Sequence, residues 1–263
     1  MHEDNSIMTT QINETTRYFD YLAQGYAIRE DLPSAYREVW NKIAHAGNWW
    51  RGEQRVAIAK EVRVARQCKL CSTRKSALSP YAVEGRHDSA SDLSSTAVDA
   101  IHRLATDASR LTRDWLVNLN QQGLSQEEYV ELLGIVVAVL SIDAFHRSMG
   151  FALETLPAPF AGVTSQYRPD SARDGEAWVP GIQAKLAVGK EAGLYEGSKQ
   201  VPGVIMAMSL VPDSVRMQTC LSGVMYLKID DIADFSKNGD RKISRTQMEL
   251  LAARVSSLSD CFY

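Results

Sequence analysis

An all-α fold is predicted for this 263-residue chain by three features. Apolar residues recur at three- and four-residue spacings through most of its length. No stretch alternates strictly between apolar and polar as a half-buried strand does, and no Asn-Gly pair stands between two such runs as in a hairpin. Hydrophobic residues make up 45% and charged residues 23%, the balance of a globular chain able to bury a sizeable core.

The elements follow in order. Pro33 suits the first turn of a helix, and the following residues place Tyr36, Val39, Trp40 and Ile43 on one face. The stretch "GEQRVAIAKEVRVARQC" repeats the pattern with Val56, Ile58, Ala59, Val62 and Ala65, and runs up to Cys68. In "SSTAVDAIHRLATDASRL", Val98, Ile101, Leu104 and Ala105 align. The helix expected to be most buried is "SQEEYVELLGIVVAVLSIDAFHRSMG". Ser125 and Glu128 form a capping box at its start, Gly150 suits its end, and Val130 to Phe145 is apolar on almost every face. From Glu154 to Gly181 prolines and glycines accumulate, which reads as an irregular linker between units 1–153 and 182–263. Two short helices parted at Pro212, a polar turn "SKNGDRK" and a last helix from about Ser244 complete the chain.

That last helix repeats an earlier one. Laying Cys261 on Cys68 aligns "QMELLAARVSSLSDC" with "QRVAIAKEVRVARQC", so two related helical units in tandem are expected.

Charge and composition narrow the function. The formal net charge is −3 and there is no dense Lys/Arg tract, which argues against nucleic acid and anionic membranes as partners. The opening "MHEDNSIMTT" shows no signal peptide. The longest apolar run, Ile135 to Leu140, is far short of the roughly 20 residues of a membrane span. Four cysteines do not make a disulfide scaffold, and a cytoplasmic location is expected.

The chemistry concentrates in "CKLCSTRK", where Cys68 and Cys71 form a C-x-x-C. At a helix N-terminus both sulfurs lie within one turn, and free amides there favour a thiolate. Lys75 is one turn beyond Cys71, where its ammonium would lower the thiol pKa further. Glu61 lies two turns before Cys68 and is a candidate proton acceptor; its alternative is a surface carboxylate beside Arg63 or Arg66. His146, at i+3 from Asp143 on the apolar helix, is a second candidate base, with a core histidine beside an Asp143–Arg147 bridge as the alternative. A zinc site needs two more ligands. His87, His102 and His146 form no paired ligand spacing, and Cys220 and Cys261 stand alone, so no metal is expected.

The segment "ISRTQMELLAARVSSLSDCFY" resembles the signature helix of AhpD-like alkylhydroperoxidases of the carboxymuconolactone decarboxylase superfamily. That pattern is a Glu, eleven residues, Cys-x-x-Cys, three residues and a His. Glu249 and Cys261 keep its first spacing, but its second cysteine and histidine would fall beyond Tyr263, so this copy is expected to be incomplete. The first unit has the full C-x-x-C, with Val56 in place of the Glu and Lys75 in place of the His. The resemblance implies an all-α bundle, homo-oligomeric assembly and a thiol-dependent peroxidase or disulfide oxidoreductase. Cys71 would attack and Cys68 resolve; the substrate is a peroxide or disulfide, the partner a thiol reductant protein, and no cofactor is needed. A decarboxylase-type lyase and a non-catalytic oligomeric scaffold are the alternatives.

Overall fold

The computed structural model describes residues 18–198, 201–239, 241–259 and 261. Among these, nine α-helices and several 3₁₀ turns are present and no strand; one isolated antiparallel bridge joins Arg173 and Gly181. The predicted all-α class is what the chain adopts. The helices are α1 (Asp31–Ala44), α2 (Gly52–Ala65), α3 (Lys69–Ser76), α4 (Ser95–Thr106), α5 (Arg113–Gln121), α6 (Gln126–Met149), α7 (Gly203–Met206), α8 (Pro212–Met225) and α9 (Arg245–Leu258).

Helix α6 is the axis of the fold. Ser125 Oγ accepts from the Glu128 amide while the Glu128 carboxylate accepts from the Ser125 amide, closing the predicted capping box. Gly150 ends the helix at φ 73°, in the left-handed region that a residue without Cβ adopts cheaply. By length and composition α6 could cross a membrane, but 67% of its most apolar window is buried in the protein. It packs against α2, α4 and α8, and its Val130, Leu132, Ile135, Val139 and Ile142 are completely buried. At Gly134 an added Cβ would lie 2.6 Å from Ser214 Oγ, so this glycine is what lets α8 approach so closely.

Two ion pairs fix α2 against α6. Arg55 and Glu131 form a buried pair, and Arg63 Nη2 lies 2.8 Å from Asp143 Oδ1. Arg147 reaches Asp143 as expected, at 3.4 Å, so Asp143 serves two cations. With α2 held from one side, its Glu61 faces α4.

The segment 154–181 is irregular, as predicted, and is strapped onto the bundle. Trp40 Nε1 donates to the Thr155 carbonyl, the Phe160 amide to Ala44 and the Gln166 amide to Asn48. One apolar core runs from Phe19 through α1, α2, α4 and α6 to Leu210, Val215, Leu221 and Ile229. Residues from both sides of the strap therefore share a core. The likeness of α9 to α2 does not extend to packing. Val62 of α2 is fully buried, whereas its counterpart Val255 is 63% exposed, as are Leu251 and Leu258 to a similar degree.

Candidate functional site: a dithiol between two carboxylate-backed histidines

Three elements meet at the C-x-x-C. Helix α2 ends at Ala65 and the chain turns through Cys68, which is the N-cap of α3 with extended backbone angles (φ −68°, ψ 125°). Cys71 is therefore in the first turn of α3, and both sulfurs are buried. Asp88, from the loop between α3 and α4, accepts from the free Lys69 amide at 2.9 Å and pins that loop over the helix start. The same loop carries His87, and α4 carries Asp99 and His102.

Each sulfur faces an imidazole, and each imidazole is backed by a carboxylate. His102 Nδ1 is 3.3 Å from Cys71 Sγ, and its Nε2 is 3.0 Å from Glu61 Oε2. His102 and Glu61 are both fully buried. His87 Nδ1 is 3.5 Å from Cys71 Sγ and 3.6 Å from Cys68 Sγ, and its Nε2 is 3.0 Å from Asp99 Oδ1. The two rings meet edge to face with centroids 4.4 Å apart.

Electrostatics assign the protons. Burial opposes ionisation of Glu61, but hydrogen bonding from His102, Ala90 and Ser89 outweighs it and holds the carboxyl below its ordinary value of 4.5. Burial lowers the pKa of His102 against the pull of Glu61, so the ring is neutral near pH 7. A neutral ring beside a carboxylate donates Nε2–H to it, which leaves the Nδ1 lone pair facing Cys71. Burial pushes the Cys71 thiol up to about 12, and the neighbouring Cys68 sulfur adds to the rise. Cys68 is also opposed by burial, but the amides of Cys71 and Asp88 and the His87 ring bring it below the ordinary 9.0. Of the two thiols, Cys68 is thus the more readily ionised and Cys71 the one that holds its proton. Asp99 is half-buried, which opposes its ionisation, yet His87, Arg103 and Arg74 hold its carboxyl far below the usual range.

Cys71 lines an opening. A pocket of about 230 Å³ is bordered by Cys71, Arg66, Ser72, Lys75 and Thr106. Cys71 thus has both a base behind it and access in front.

The sequence-predicted residues distribute as follows. Cys68, Cys71 and Glu61 come together, and Glu61 pairs with His102 rather than with Arg63 or Arg66. Lys75 is exposed at the pocket mouth, and the cation that reaches the histidine network is Arg74, 2.7 Å from Asp99. His146 is committed elsewhere. Its Nδ1 donates to the Ala152 carbonyl at 2.6 Å, and its Nε2 accepts from the Tyr21 hydroxyl at 2.8 Å, within an aromatic cluster. Glu249 bonds Arg245 and the Tyr226 hydroxyl, both at 2.5 Å, and Cys261 is exposed. Cys220 is half-buried against Glu38, where burial pushes its thiol up to about 11. Sequence reasoning missed His87 and His102 as neighbours of the pair. His102 carried a signal, because it is four residues from Val98 and next to Ile101 on the buried stripe of α4. His87, in a polar loop, carried none.

No family model matches the chain, and neither does any curated protein or solved structure.

Proposed function

We propose that the chain is a dithiol peroxidase, in which Cys71 attacks a small hydroperoxide and Cys68 resolves the product. The observation that carries this reading is the buried Glu61–His102–Cys71 chain of hydrogen bonds ending at a pocket. A nucleophile, a base and a group that orients the base are in contact in that order. The resemblance to AhpD-like alkylhydroperoxidases points to the same chemistry, with His102 of α4 supplying the imidazole that Lys75 is not.

His102 Nδ1 takes the Cys71 proton as the sulfur attacks the distal peroxide oxygen. The O–O bond breaks, the proton passes to the departing alkoxide, and Cys71 becomes a sulfenic acid. The Cys68 thiolate then attacks the Cys71 sulfur and expels hydroxide, leaving a Cys68–Cys71 disulfide. A thiol reductant returns two electrons and two protons to restore the pair. The pocket is smaller than the 300–1,000 Å³ usual for drug-sized ligands. It suits a small peroxide better than a bulky one, and Arg66 and Lys75 at its mouth attract anionic or polar groups.

In Cys68→Ser, Cys71 has no resolving partner. A dimedone adduct on Cys71 after brief peroxide treatment is the expected result, with no comparable adduct on Cys68 in Cys71→Ser. An adduct that forms fastest on Cys68 would reverse the assignment, and none on either would remove the peroxidase reading.

A further inference from the structure

The histidines around the dithiol are arranged for more than proton transfer. Cys68 Sγ, Cys71 Sγ, His87 Nδ1 and His102 Nδ1 all lie within 4.8 Å of one another. A tetrahedral zinc ion with ordinary Zn–S and Zn–N bonds separates sulfur from nitrogen by about 3.6 Å. Three of the four S···N separations here are 3.3, 3.5 and 3.6 Å, and the fourth is within 4.8 Å. Three of the four residues are buried and the His87 side chain is only 8% exposed, so the set is shielded from bulk water except where Cys71 borders the pocket.

The surroundings of the two imidazoles point the same way. Each ring turns Nδ1 to the sulfurs; His102 gives Nε2 to Glu61, and His87 Nε2 lies 3.0 Å from both Asp99 Oδ1 and Arg74 Nη1. A carboxylate behind the ring fixes the tautomer whose other nitrogen is a free lone pair, and raises that nitrogen's basicity as a ligand. A single proton relay to Cys71 needs one such histidine. The second, directed at both sulfurs and held from behind by Asp99 and Arg74, is accounted for by a shared ligand.

We propose that Cys68, Cys71, His87 and His102 form a four-coordinate site for one thiophilic divalent cation of the zinc class, and that its occupancy withholds the dithiol from oxidation. Two thiolates and two neutral imidazoles match zinc in ligand softness and number, and leave no open position for a bound water. Binding and disulfide formation exclude each other, because the disulfide has no thiolate to offer. Oxidation of the loaded site is balanced as follows. The two thiolates give two electrons to one hydroperoxide, the S–S bond forms as the O–O bond breaks, two protons from solvent complete an alcohol and a water, and the cation is released. The sequence conceals the site because its ligands are spaced Cys-x₂-Cys-x₁₅-His-x₁₄-His, without the close histidine pair that marks a familiar zinc motif.

The site does not depend on peroxidase turnover, and the experiment separates the two. The full-length reduced chain is titrated anaerobically with cobalt(II), then with zinc(II) against a chromophoric chelator. One equivalent of cobalt is expected to give the sulfur-to-cobalt charge-transfer band and the intense visible bands of a tetrahedral thiolate site. Asp99→Asn should weaken zinc binding by about 10–100-fold through the orientation of His87. Cys71→Ser should abolish the charge-transfer stoichiometry, while Cys261→Ser should leave it unchanged. In a parallel arm, one equivalent of zinc should slow peroxide-driven Cys68–Cys71 disulfide formation roughly tenfold or more relative to metal-free chain. Wild-type protein that develops no charge-transfer band overturns the site, whether or not its metal-free dithiol consumes peroxide. A band with unchanged oxidation rate overturns the protective role.

Discussion

Glu131→Ala is expected to lower the stability of the folded chain by about 3–5 kcal/mol, because it strands a charge inside the core. The Arg55 side chain is 5% exposed and the Glu131 side chain 2%. Their pair lies between α2 and α6, and Glu131 also accepts the Trp49 amide at 2.6 Å while Arg55 donates to the Lys42 carbonyl at 3.2 Å. Removing the carboxylate leaves a guanidinium with one carbonyl and no counter-charge. The double change Arg55→Met with Glu131→Leu removes both charges and should recover most of the loss, since well-packed apolar side chains often replace a buried ion pair without penalty. Urea unfolding of the three variants measures both effects. A single-variant cost below about 1 kcal/mol would mean that water reaches the pair.

Glu61→Gln should slow peroxide-driven disulfide formation in the metal-free chain by at least about 100-fold while leaving the helical content intact. The glutamine is nearly isosteric, but its effect on His102 is chemical. A carboxylate accepts Nε2–H and leaves Nδ1 free to take the Cys71 proton. An amide NH₂ in that place donates to Nε2 and turns the proton onto Nδ1, so the ring presents a donor to the sulfur it must deprotonate. Stopped-flow tryptophan fluorescence or quenched thiol alkylation gives the rate. A loss of under tenfold would show that the base acting on Cys71 is not His102. Structural damage would appear instead as a shifted denaturation midpoint, which the same sample reports.

Legibility in the sequence follows the range of the interactions involved. Helix α6 is readable end to end because its signals are local: a capping box within four residues, a left-handed glycine and an apolar run. The turn at Cys68 is readable for the same reason, and Glu61 is readable from its two-turn spacing to Cys68. His102 meets Glu61 only because α4 packs on α2, 41 positions away, and no periodicity encodes which face of one helix meets which face of another. His146 shows the converse. Its polar neighbours at Asp143 and Arg147 gave it the look of a buried reactive group, but its partner is Tyr21, 125 residues away, and the two satisfy each other. The alignment of α9 with α2 compared two amphipathic patterns, and a pattern of this kind fixes the apolar stripe of a helix without fixing what covers it.

The central claim is that Cys68 and Cys71 exchange two electrons as a pair. Peptide mass spectrometry of the wild-type, metal-free chain after one equivalent of hydrogen peroxide tests it most directly. The account predicts a loss of two hydrogens confined to the segment 67–74, reversed by dithiothreitol, with Cys220 and Cys261 still open to alkylation. Cys68 and Cys71 both remaining alkylatable at the rate of free cysteine, or a disulfide joining either of them to Cys220, would contradict it.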